Sequence, residues 1–82
     1  MSDQLYSVEL DQKMGEYHIF ISSKDKGKCK LKGTSICNKM EYDLNAVNIG
    51  LCITENEVKA IVERYGKKIC KACVSQFNKR DE

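Results

Sequence analysis

Ile69-Cys70-Lys71-Ala72-Cys73-Val74 decides how this chain is read. A Cys-x-x-Cys pair brings two thiolates within reach of one ion, and a structural zinc site needs four such ligands in a tetrahedron. Working outward, the chain offers Cys37, Cys29, Cys52 and a single histidine, His18, to complete the set. Cys37 is the next ligand, because Ile36-Cys37-Asn38-Lys39 reads as a knuckle. Asn38 tolerates the left-handed backbone that aims following amides at the sulfur. The fourth place stays open between His18 and Cys29, while Cys52 reads as a small packed or exposed thiol. The Cys70 and Cys73 pair lies at a helix start flanked by Lys68 and Lys71, which favours thiolate.

The metal matters because the chain has 82 residues. A chain this short struggles to bury enough apolar surface to fold unaided. A bound ion supplies folding free energy outright. Five cysteines cannot close into a complete set of disulfides, so the reading is a reducing, cytoplasmic setting with thiols free or on metal. No apolar run of the roughly 18 residues that a membrane helix needs is present, and no basic-then-apolar leader opens the chain.

The expected fold class is α+β: a small zinc-stabilised domain with an antiparallel β-hairpin or sheet, one central helix and a short helix after the Cys-x-x-Cys. Tyr6, Val8 and Leu10 alternate, as do Tyr17, Ile19 and Ile21, predicting two paired strands around a turn over 11–16. Residues 22–28 read as a polar loop, followed by a short extended piece over 29–31. Val47, Ile49, Leu51 and Ile53 alternate with Cys52 on the other side, predicting a strand with those four on one face. Thr54-Glu55-Asn56-Glu57 is a capping box. Val58, Ile61, Val62 and Tyr65 then follow helical spacing up to Gly66, a natural stop. Val74 and Phe77 predict the terminal helix. Residues 1–82 form one domain, with 1–4 and 79–82 expected to fray.

Net charge is only +2, but it is banded. Lys24, Lys26, Lys28, Lys30 and Lys32 form one basic row, and residues 65–80 carry lysines and Arg80 without an acid. If 24–32 is extended, the five ammonium groups share one side, a candidate partner-binding surface for an acidic protein or a phosphate backbone. The bland reading is a charged edge that keeps sheets apart.

Tyr17-His18-Ile19, Ile36-Cys37-Asn38-Lys39 and Ile69-Cys70-Lys71-Ala72-Cys73-Val74 together resemble a pattern common in small zinc-binding proteins of phages and mobile elements. That pattern has a strand histidine, a single cysteine, an insert, and a late Cys-x-x-Cys before a short helix. The resemblance covers residues 17–78 and departs at Asn38, where glycine is usual. It implies His18, Cys37, Cys70 and Cys73 as ligands of one structural zinc ion. It also implies a phage-encoded, early host-takeover role: a non-enzymatic module that binds and inhibits or redirects a host protein in the host cytoplasm, with no small-molecule substrate. A small zinc-dependent nucleic-acid-binding regulator is the alternative. Arginine is scarce, which counts against base readout. No His-x-Glu or Pro-Cys element of a zinc deaminase is present. A thiol oxidoreductase is disfavoured because no proline is available and the Cys-x-x-Cys comes late.

Overall fold

A computed structural model describes residues 4–43 and 46–80. Four strands run β1 Leu5–Asp11, β2 Glu16–Asp25, β3 Lys28–Leu31 and β4 Asn48–Ile53. Helix α1 Glu55–Tyr65, a 3-10 turn Gly66–Lys68 and helix α2 Lys71–Arg80 follow. The sheet is antiparallel in the order β3-β2-β1-β4. The α+β class is as the sequence predicts. Of the segments expected to fray, residues 1–3 and 81–82 lie outside the described ones. Gln4 is tied down, its amide donating to the Ser22 carbonyl at 3.0 Å, and Lys79 and Arg80 are helical.

Strands β1 and β2 pair in full register, Val8 opposite Ile19 and Glu9 opposite His18. Their connection is held by the Gly15 amide donating to the Asp11 carbonyl at 2.7 Å, with Gly15 at φ +69°. The alternation sorts the two faces. Tyr6, Val8 and Ile19 turn toward the helices and form the core with Val58, Ile69, Cys73 and Phe77. Ser7, Glu9, His18, Phe20 and Ser22 occupy the other face and are also buried.

Helix α1 starts on the expected capping box: the Glu57 amide donates to Thr54 Oγ1 at 3.3 Å and Glu57 reaches back to the Thr54 amide at 3.4 Å. Val58 is its fully buried residue; Ile61, Val62 and Tyr65 pack half-buried on the core. Gly66 ends it at φ +52°. Phe77 of α2 sits edge-on to Tyr6, ring centroids 5.1 Å apart. That contact adds directional stabilisation to the apolar burial.

Three expectations are corrected. Residues 22–28 are not a loop: β2 continues to Asp25, and only Lys26 and Gly27 turn the chain, with φ of +53° and +81°. Positive φ at both central residues is the type I′ turn, whose twist matches that of the paired strands. Val47, Ile49, Leu51 and Ile53 do not share one buried face. Val47 and Leu51 are about half exposed, while Ile49 and Ile53 pack on the core. The β1–β4 pairing shifts register twice, and a one-residue shift turns a side chain to the other face. Gly50 lies close to Ile53: a Cβ at that position would stand 2.8 Å from Ile53 Cδ1, so the isoleucine side chain would have to shift.

The third correction concerns the thiols. Cys29 and Cys52 are not free: they form a disulfide between β3 and β4, the two edge strands of the sheet. The sheet therefore curls until its edges meet across the face that carries Ser7 and Ser22. Ser7 Oγ lies 2.6 Å from Ser22 Oγ and accepts the Cys52 amide at 2.9 Å. That bond helps to hold Cys52 at φ +50°, a left-handed conformation costly for a residue with a Cβ.

Candidate metal centre

The candidate site forms where β2 has no neighbouring strand on its outer side. Strand β3 pairs only with Ser22–Asp25, so the Tyr17–Ile21 edge is free to receive other chain segments. The segment after β3 takes part of it, with the Lys32 and Ile36 amides donating to the Ile21 and Ile19 carbonyls at 2.8 and 2.9 Å. The Cys-x-x-Cys segment takes the rest. Ile69 bridges Tyr17, and the Cys70 amide donates to the Tyr17 carbonyl at 2.8 Å. Main-chain hydrogen bonds thus bring two remote pieces of sequence beside His18.

Cys37 is presented by a tight turn. The Asn38 amide donates to the Ser35 carbonyl at 2.9 Å, and Asn38 takes φ +62°, the left-handed conformation expected of it. Cys70 immediately precedes α2 and Cys73 lies in its first turn. His18 is buried on β2.

One donor atom from each of His18, Cys37, Cys70 and Cys73 lies within 4.8 Å of all the others. His18 Nδ1 is 3.3 Å from Cys37 Sγ and 3.4 Å from Cys73 Sγ, and the Cys37 and Cys70 sulfurs are 3.9 Å apart. Around a tetrahedral ion with sulfur at roughly 2.3 Å and nitrogen at roughly 2.0 Å, sulfur–sulfur separations are about 3.8 Å and nitrogen–sulfur about 3.5 Å. The donor set therefore fits one four-coordinate metal ion. Cys29 does not compete for the fourth place, because the disulfide removes it.

The electrostatics divide the thiols. Burial pushes the Cys37 thiol up, but hydrogen bonds from Ser35, Cys73, the Lys39 amide and His18 outweigh it and lower its pKa to about 6. Ser35 Oγ is 3.2 Å from Cys37 Sγ. Cys73 goes the other way. Full burial and the neighbouring Cys37 and Cys70 raise its pKa, against an opposing hydrogen bond from the Ile19 amide at 3.4 Å. Crowded thiols that cannot all ionise together become compatible when a cation sits among them.

The lysine row is not brought to one side. Residues 24–31 fold back on themselves, with Lys24 opposite Cys29 and Lys28 opposite Asp25. Lys24 thus faces away from Lys28 and Lys30, and Lys30 Nζ pairs with Asp25 at 3.1 Å. Lys24, Lys26, Lys28, Lys30 and Lys32 are all exposed but spread along the β2–β3 hairpin, with Lys26 in the turn and Lys32 past the far end of β3, where its amide bonds to the Ile21 carbonyl.

Sequence reasoning missed Ser35, whose hydroxyl supports Cys37; a serine two residues before a cysteine carries no distinctive signal. No helix among the described residues is long and apolar enough to cross a membrane. Compared with protein-family models, with curated proteins and with solved structures, the chain matches none.

Proposed function

We propose that this chain is a zinc-stabilised, non-enzymatic binding module, and that His18, Cys37, Cys70 and Cys73 hold one structural zinc ion. The mutual spacing of the four donor atoms carries this reading. Three thiolates and an imidazole suit zinc by softness and by tetrahedral preference. Four protein ligands leave no coordination position for water or substrate, so the ion acts as a cross-link. It ties β2, the Cys37 turn and α2 together. When bound, it supplies the folding free energy that a chain of this size lacks.

A closed metal site directs function to the surface. The partner we infer is a protein with an acidic face, contacted by the exposed lysines of the β2–β3 hairpin: Lys24, Lys26, Lys28, Lys30 and Lys32. Among the described residues, Lys30 is the one of these five that pairs with a carboxylate, that of Asp25. Clustered like charge steers an oppositely charged partner and suppresses wrong ones. Occlusion of the partner's own binding surface is the mechanism that fits a module without chemistry of its own.

X-ray absorption at the zinc edge tests the first half, with three sulfurs and one nitrogen expected; a shell of four sulfurs or of oxygens contradicts it. For the second half, zinc-loaded wild type and the Lys26→Glu/Lys28→Glu/Lys32→Glu protein are used as baits. A protein partner retained by wild type and lost by the variant is expected. A nucleic acid retained instead, with affinity falling steeply with salt, would favour the regulator reading.

A further inference from the structure

We propose that the groove between α1 and α2, beside the metal site, docks an acidic amphipathic segment of a partner protein. The inference rests on the reading of the chain as a zinc-stabilised binding module and names a second contact on it. Ile69 closes the floor, half-buried Val62 and Val74 form the walls, and the exposed Lys67 and Lys71 stand on the rim. The groove holds about 540 Å³, within the roughly 300–1,000 Å³ typical of binding clefts.

Charge complementarity selects the occupant. From Arg64 to Arg80 the chain carries Arg64, Lys67, Lys68, Lys71, Lys79 and Arg80 and no acidic residue. No acid lines the groove. An apolar floor between valines is wasted on a phosphate backbone, whereas an amphipathic segment fills it with aliphatic side chains and sets carboxylates against Lys67 and Lys71. A basic segment would meet like charge at the rim.

The groove is also coupled to the metal through the chain. Ile69 and Lys71 flank Cys70, and Val74 follows Cys73. Fixing both sulfurs on one ion therefore fixes the floor, one wall and part of the rim. Docking should require the loaded site.

The test selects short peptides from a random displayed library on the full zinc-loaded chain and measures the enriched peptide by fluorescence anisotropy. Enriched peptides are expected to carry apolar residues at helical spacing interleaved with Asp or Glu. Lys67→Glu, which changes an exposed residue outside the ligand set, should weaken binding about tenfold or more. Val74→Ser should weaken it as well, with zinc content measured on every sample. Enrichment of basic or uncharged peptides, no enrichment, or an unchanged affinity in zinc-loaded Lys67→Glu would overturn the proposal. So would a dimer that Lys67→Glu disperses, which would assign the groove to a second copy. A wild-type chain that carries no zinc fails the underlying reading instead and is told apart by the metal measurement.

Discussion

His18 Nδ1 lies 3.4 Å from Cys73 Sγ across 55 residues of chain. A β-strand residue and a first-turn helix residue meet because the Cys70 amide docks on the Tyr17 carbonyl, one residue before the histidine. The candidate metal centre is thus built on main-chain pairing along a strand edge. Side-chain chance plays little part, and its supports can be tested one at a time.

Ser35 is a buried support that acts on a ligand's proton. Its hydroxyl favours the Cys37 thiolate, whose pKa of about 6 lies below the ordinary thiol value. A depressed folded pKa gives stability that is present above the unfolded value and lost as pH falls through the folded one. Ser35→Ala removes part of that preference, so protons compete better for the sulfur. Zinc release during acidification, followed with a chromogenic chelator, should move to higher pH.

The Cys29–Cys52 disulfide closes 23 residues of chain and joins opposite edges of the sheet. A loop of that length constrains the unfolded chain by about 3 kcal/mol. Cys29→Ser/Cys52→Ser should unfold at correspondingly lower denaturant while keeping its zinc. Thiol counting in denaturant with chelator should find three free thiols before reduction and five after.

Phe77 is buried against Tyr6 near the end of the described chain. Phe77→Ala should cost about 3–5 kcal/mol, as loss of a core aromatic does. A cost near zero in chemical denaturation would mean that α2 is held by the metal ligands alone.

Glu9 stands opposite His18 and is almost fully buried, with Oε1 unpartnered among the described residues. Burial raises its pKa, a hydrogen bond from the Asp43 amide opposes this, and the Asp43 charge adds to the rise. A raised carboxyl contributes stability below the usual carboxylate range and loses it as pH rises through the folded value. Glu9→Gln should therefore be more stable than wild type at neutral pH. The gain should shrink as pH falls, measured by thermal unfolding across pH.

Local signals carried much of this architecture. Thr54 and Glu57 announce the start of α1, and the alternation of Tyr6, Val8, Tyr17 and Ile19 gives the central hairpin. Cys37, Cys70 and Cys73 were legible as candidate ligands from the Cys-x-x-Cys and the knuckle, but the residues alone left the fourth place open between His18 and Cys29; the structure gathers His18 with the three thiols. What was not legible depends on curvature. Cys29 and Cys52 sit on strands at opposite edges of the sheet, and no local pattern says that the edges meet. The Lys26-Gly27 turn was hidden because Ser22 to Lys28 is polar on both faces, so the period-2 signal vanishes. The faces of β4 were misread because its pairing with β1 shifts register twice, and alternation within β4 alone does not reveal that.

The central claim is most directly tested by native mass spectrometry of the chain purified without added metal, as wild type, His18→Ala and Cys29→Ala. The account predicts one zinc ion per wild-type chain, retained in Cys29→Ala and weakened or lost in His18→Ala. A folded wild-type chain without metal, or a zinc ion that depends on Cys29 and not on His18, would contradict it.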